Sequence, residues 1–189
     1  MESTVKRLLL AIVIVFGAAA LVIVGLASTK PDTFHVERKV VINASPDIVF
    51  ANIDDFHRWS AWSPWEKLDP ELNRTYSGQP KGVGAIYDWK GNKQAGRGRM
   101  TIDEARAPEH VSIHLEFFEP FAADDHAVFT LAPTAAGTSV TWAMEGHNPF
   151  GSKVFMVFAD MDKLIGGDFD RGLANLKQVS EAGAAAAAH

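Results

Sequence analysis

The chain opens on an unbroken run of apolar and small residues, "LLLAIVIVFGAAALVIVGLA", at positions 8–27. Twenty residues at a helical rise of ~1.5 Å cover about 30 Å, the thickness of a bilayer core. The pattern predicts a transmembrane helix, a signal anchor, with Leu8, Ile12, Val15, Phe16, Leu21 and Val24 as its anchoring residues. A cleaved signal peptide is the competing reading, because Gly25-Leu26-Ala27 has the small-x-small look of a cleavage site. The run exceeds the roughly 7–15 residues of a signal core, which favours retention. In the flank, residues 1–7, Lys6 and Arg7 precede the span, whereas Lys30 follows it beside Asp32. The positive-inside rule then predicts a cytoplasmic N-terminus and a domain on the exported, periplasmic or extracellular side. Residues 28–33, "STKPDT", read as a linker reaching at most about 20 Å, so the domain is held near the headgroups.

Past the linker the period becomes two. Residues 34–42, "FHVERKVVI", alternate as a first strand, and further candidates are 73–77, 84–90, 96–106, 109–118, 126–132 and 138–146. The stretches between the later ones are short and turn-forming, which implies antiparallel neighbours. Alternation gathers Ala85, Tyr87, Trp89, Met100, Ile102, Val111, Ile113, Leu115, Phe117, Val140, Trp142 and Met144 on one inward face. Asp88, Lys90, Arg97, Arg99, His114 and Glu116 fall on the other, a solvated surface.

Helical signals interrupt and close this pattern. Ser45 is a good N-cap, Pro46 suits a first helical position, and Val49, Phe50 and Ile53 form one apolar face. In "DFHRWSAWSPW" Trp59, Trp62 and Trp65 recur every three residues, which predicts tight helical turns that either plug the concave end of the sheet or line an entrance. From Asn148, a candidate cap, and Pro149, one long helix is predicted with Val154, Phe158, Met161, Ile165, Phe169, Leu173 and Leu176 on a single stripe. Gly166-Gly167 inside it marks a kink or a close approach. Residues 182–189, ending in "AAAAAH", read as a disordered tail or an appended segment foreign to the fold. The order strand, short helices, six strands, long helix predicts an α+β helix-grip fold: a curved antiparallel sheet around a long C-terminal helix, preceded by one transmembrane helix.

Composition changes this picture little. Residues 31–189 hold 15 Lys and Arg against 22 Asp and Glu, a net charge of −7, which argues against nucleic acid as a partner. There is no cysteine, hence no disulfide framework. His35, His57, His110, His114, His126, His147 and His189 show no metal-ligand spacing. His114 and His126 can face each other across a hairpin near Glu116 and Asp124, but His114 alternates outward, so neither metal nor cofactor is expected. No nucleophile motif occurs, and Tyr87 and Glu145 are only weak catalytic candidates. Lys90, Lys93, Arg97 and Arg99 share one hairpin, either as a solvated edge or as a contact for anionic headgroups.

"VINASPDIVFANIDDFHRWSAWSPW", "YSGQPKGVGAIYDWKGN" and "DKLIGGDFDRGLANLK" together resemble the START-like (Bet v 1-like) superfamily, and within it the SRPBCC or polyketide cyclase/dehydrase group, over residues 34–181. The resemblance implies a deep, mostly apolar cavity between the sheet and the last helix. It also implies members that bind lipids, sterols or polyketides, some of which catalyse reactions there. Trp62, Tyr87, Trp89, Met100, Trp142, Met144, Phe158, Met161 and Ile165 are then the expected ligand-binding residues. Phe117, Phe118 and Phe121 are an expected apolar lip. The expected role is a membrane-tethered binding or transfer module for a lipid-like or isoprenoid molecule, with the bilayer and that ligand as partners. An accessory structural subunit of an integral membrane protein complex is one alternative. A cyclase- or dehydratase-type enzyme on a hydrophobic substrate is the other.

Overall fold

The period-two segments pair into one seven-stranded antiparallel sheet. Its strands are β1 (Thr33–Ile42), β2 (Asn73–Gly78), β3 (Ala85–Lys90), β4 (Arg97–Arg106), β5 (His110–Glu119), β6 (Ala123–Thr134) and β7 (Gly137–His147), in the order β1-β7-β6-β5-β4-β3-β2. The computed structural model describes residues 2–187, without the side chains of Glu2, Ser3 and Leu8, so Leu8 as an anchor residue and His189 lie outside the described residues. The helices are α1 (Glu2–Ser28), α2 (Pro46–Ile53), α3 (Phe150–Phe155) and α4 (Met161–Ala187). Two short 3₁₀ helices, Phe56–Ala61 and Pro64–Lys67, carry the tryptophan stretch, as the three-residue spacing predicts. The architecture is the helix-grip α+β fold.

Residues directly opposite in antiparallel strands share a face. One such row crosses the whole sheet: Tyr76, Tyr87, Met100, Leu115, Asp125, Gly146 and Phe34. On the side of this row toward the β6–β7 turn, the concave face is filled. Trp142 stacks on Phe169 of α4 at 4.1 Å and on Phe129 of β6 at 4.8 Å, and Trp62 packs edge-on against Trp142 at 5.7 Å. The indole N–H groups of Trp59 and Trp62 donate to the carbonyls of Ile53 and Asn52, both at 2.9 Å, so two of the rings satisfy their polar edge within the end of α2.

The single long C-terminal helix predicted from Asn148 is divided. α3 stops at Phe155, and α4 restarts behind Asp160, whose Oδ1 accepts from the backbone N–H groups of Asp162 and Lys163. An aspartate accepting at that position caps a new helix, a local signal that the apolar stripe masks. Asn148 does not cap a helix; its N–H and side-chain amide donate to Asp32 and Pro31 carbonyls at 2.7 and 3.2 Å, tying the linker down. α4 passes through Gly166-Gly167 as one continuous helix, so the glycines mark a close approach. A Cβ on Gly166 would meet the Arg38 guanidinium at 1.9 Å. Arg38 leaves β1 to bind Asp162 at 2.9 Å and Asp170 at 3.4 Å, clamping the start of α4 to the sheet. The tail expected to be disordered instead continues α4 to Ala187, since successive alanines have the highest helix propensity and Ala184 packs on the core.

α1 is long and apolar enough to cross a membrane, by length and composition, over Thr4–Ser28. Ile12, Val15, Phe16, Leu21 and Val24 are all exposed, whereas Ala27 is fully buried where the last turns meet α3. The strand register places the β3–β4 turn, the β5–β6 turn, the β7–α3 junction and the segment from α1 at one end of the sheet.

Candidate functional site

At that end the concave face is left open. A cavity of about 380 Å³ lies between the sheet and its helical cover. Its floor is the cross-sheet row: Tyr87, Met100, Leu115 and Asp125, with Trp89 and Phe117 beside them and Met144 behind. Met161 and Ile165 of α4 and Ser152 of α3 form the roof, and Trp59, Trp65, Leu68 and Leu72 the wall. The volume lies in the range of small-molecule sites, which combine apolar lining with a few placed polar groups.

The polar groups divide into two sets. On the β3 side, Glu66 is buried and both its carboxylate oxygens are used. Oε1 accepts from the Tyr87 hydroxyl at 2.6 Å and Oε2 from Arg74 Nε at 2.6 Å. Arg74 also donates to the Leu72 and Glu66 carbonyls. Burial, then the bond to Glu66, raises the Tyr87 pKa well above the usual tyrosine range, so this hydroxyl keeps its proton and is no general base. The hydrogen bond to Glu66 likewise raises the Arg74 pKa, against an opposing effect of burial.

On the β6 side, Asp125 is 4% exposed, and among the described residues its Oδ1 finds no hydrogen-bond donor. Burial pushes this carboxyl up to about 6; Asp124 adds to the rise, and His126 and His147 oppose it. A third carboxylate at the lining, Asp168, is ion-paired with Arg171. Among the described residues no lysine or arginine lines the cavity.

A family model described as "Polyketide cyclase / dehydrase and lipid transport" matches residues 33–181. The chain belongs to that family. Among solved structures, protein CV1439 from Chromobacterium violaceum is 18% identical with a TM-score of 0.56, over 80% of this chain and 99% of that one. The KanY protein is 22% identical with a TM-score of 0.58, over 79% and 98%. The di-domain ARO/CYC protein BexL of the BE-7585A biosynthetic pathway is 12% identical with a TM-score of 0.59, over 84% of this chain and 53% of that one. At these identities the likeness is one of fold. Curated proteins give no significant match.

Of the residues expected to line the family's cavity, Tyr87, Trp89, Met100, Met144, Met161 and Ile165 do so. Trp62 and Trp142 do not: both are sealed in the aromatic plug, because the cavity stops at the Asp125–Met144 level and rings fill the space beyond. Phe158 falls in the break between α3 and α4 and is 72% exposed, outside the cavity. Glu145 lies on the outer face beside His35 at 4.0 Å, so it does not converge with Tyr87. His114 and His126 stack at 5.0 Å on that face, with Asp124 at 2.8 Å from His114, and among the described residues no group is arranged to hold a metal ion.

Of the expected lip, Phe117 lines the cavity, Phe118 lies under Arg97 at 5.3 Å, and Phe121 is 82% exposed at the turn. In the basic group, Arg97 pairs with Glu119 and Arg99 with Asp88. The sequence reading missed Glu66 and Asp125. Starting β6 at Ala123 instead of His126 extends the alternation of Ala127, Phe129 and Leu131 back onto Asp125, which would have marked it as inward.

Proposed function

We propose that this protein is a membrane-tethered binding or transfer module for an apolar small molecule, lipid-like or isoprenoid, held beneath α4. The observation carrying this reading is the largely apolar hollow in a member of a family described by cyclase, dehydrase and lipid-transport roles. Its location supports the tether. The cavity's roof includes Ser152 of α3, the helix against which the end of α1 packs, and only residues 29–32 separate α1 from β1. Phe121, Phe150 and Phe155 are exposed at the same end, suited to shallow contact with the bilayer. In this arrangement α1 crosses the membrane, the N-terminus is cytoplasmic, and the ligand partitions from lipid into the cavity over a short path.

The rival readings have less support. A purely structural subunit has no need of a hollow interior. An enzyme needs polar groups free to act at one centre, whereas Glu66, Tyr87 and Arg74 converge only to saturate one another, and Asp125 lies three strands from Tyr87, roughly 14 Å along the sheet at ~4.8 Å per strand.

The test is extraction of the full-length protein purified in detergent, followed by mass spectrometry. An apolar molecule is expected to co-purify and to be lost from Leu115→Trp, which fills the cavity floor. Identical extracts from both proteins overturn the reading.

A further inference from the structure

The cavity carries a polar preference that its apolar lining does not explain. Of its three carboxylates, Glu66 is saturated by Tyr87 and Arg74, and Asp168 is held by Arg171. Asp125 alone makes no side-chain hydrogen bond or ion pair among the described residues, at 4% exposure and on the cavity lining. A buried polar atom left unpaired costs free energy, and of the described residues with one (Asp54, Asp125, Ser139 and Trp142) only Asp125 lines the cavity.

The place for this side chain is built. Asp125 faces Gly146 across the β6–β7 ladder, and a Cβ on Gly146 would meet Asp125 Oδ1 at 1.7 Å. Only glycine at that position leaves room for the carboxyl. Its other cross-strand partner, Leu115, offers no polar atom on its side chain. The charged and titratable groups around Asp125 are Asp124 and His126, which point outward on β6, and His147 at the end of β7, which also lines the cavity. With no lysine or arginine among the described lining residues, an anionic headgroup entering the cavity would meet Asp125 without a lysine or arginine counter-charge.

We infer that Asp125 is the recognition point for a hydrogen-bond donor on the ligand, so the cavity takes apolar molecules bearing a hydroxyl or a protonated amine and rejects carboxylates and phosphates. This rests on the ligand-binding reading above and narrows its substrate class. The apolar body of the ligand lies over Leu115 and Met100 toward Tyr87, and its polar end donates to Asp125. Acidic lipids such as free fatty acids are thereby excluded, although their tails would fit.

The chain's own methionines supply the readout. It has five, of which Met100, Met144 and Met161 line the cavity, while Met156 does not and serves as an internal control. The full chain, labelled with ¹³C at the methionine methyls and held in phosphatidylcholine nanodiscs at about pH 8, is titrated with octan-1-amine, octan-1-ol and octanoate. At that pH the amine is charged, as a lysine is, and Asp125 is ionised.

Octan-1-amine and octan-1-ol are expected to shift Met144 and Met100, the amine binding at least about tenfold more tightly than octanoate because a charge-assisted hydrogen bond forms in one case and repulsion in the other. Asp125→Asn, whose own methionine spectrum reports that it folds, is expected to reduce the preference to about threefold or less. Three probes that bind alike, or a preference unchanged in Asp125→Asn, overturn the inference and leave the cavity reading standing. If no probe moves the cavity methionines of the wild type, or if Leu115→Trp responds to the probes as the wild type does, the cavity reading fails and this inference with it.

Discussion

Glu66 and Asp125 are both buried carboxylates in the lining of one cavity, yet their surroundings differ in every respect that matters. Glu66 comes from a 3₁₀ helix that starts at Pro64 and is closed by the Leu68 N–H donating to the Trp65 carbonyl, and it meets a guanidinium and a phenol that use both oxygens. Asp125 comes from a strand interior, where its cross-strand partners are a leucine and a glycine. The first is a closed structural unit that holds the β2–β3 edge against the aromatic helices. The second is an unmet demand. Burial alone therefore does not distinguish the two acids, and neither does a partnerless oxygen, since Asp54 Oδ1 is buried and unpaired away from the cavity; what sets Asp125 apart is the unpaired carboxyl together with its place on the cavity lining.

The contrast breaks most visibly by removing a partner. Arg74→Met leaves Glu66 buried beside a phenol alone and is expected to destabilise the domain by about 4 kcal/mol, measured by denaturant unfolding. Asp125→Asn has the opposite sign. The folded state holds the Asp125 proton more tightly than the unfolded chain, whose carboxyl sits at 3.8 against about 6 when folded. The unfolded state thus binds fewer protons between those values, and stability falls as pH rises from about 4 to about 6. Above that window the ionised carboxyl is a constant cost, worth at most about 3 kcal/mol. The variant is expected to gain up to that amount at about pH 7.5 and to lose this segment of the pH profile. Asp124, His126 and His147 remain in both proteins, so the difference reads the burial of the Asp125 carboxyl together with its coupling to those three groups.

A milder cut sharpens the same comparison. Tyr87→Phe removes only the donor to Glu66 Oε1, leaving the Arg74 bond in place, and is expected to cost about 1.5 kcal/mol in the same unfolding assay. A loss as large as that of Arg74→Met would mean that the phenol, not the guanidinium, stabilises the buried charge.

The fold was legible because it is written in period. Alternation recovered every strand, the 3₁₀ turns followed from tryptophans spaced by three, and the apolar first run marked α1. The site was legible only in part. Tyr87, Trp89, Met100 and Met144 were found because inward apolar positions are periodic too, but alternation cannot say where an interior stops being hollow. Trp62 and Trp142 were expected at the lining and instead fill the plug, since whether a ring meets a neighbour or a void depends on contacts between distant segments. Asp125 was lost to a strand start misplaced by three residues. Glu66 carries no local signal, because its partners Arg74 and Tyr87 are brought to it by the β2–β3 hairpin.

The two acids also differ in where they stand relative to α1, and this yields the prediction with the smallest energetic signature. Asp125 lies on β6, next to β7 and β1, on the side where α3 meets the end of α1; Glu66 lies on the far side against β2 and β3. A ligand leaving a bilayer around α1 would meet Asp125 first. Phe121 at the β5–β6 turn should then rest at the lipid surface, whereas Ala135 at the β6–β7 turn stands at the opposite end of the sheet. The absence of cysteine makes this measurable, because Phe121→Cys and Ala135→Cys each create a single labelling site on a solvent-exposed residue. Both variants are expected to fold within about 0.5 kcal/mol of the parent. In nanodiscs an environment-sensitive fluorophore at 121 is expected to emit to the blue of the same fluorophore at 135. Equal emission would place neither turn at the lipid, and would separate the donor preference of Asp125 from any role of the bilayer in delivering what it binds.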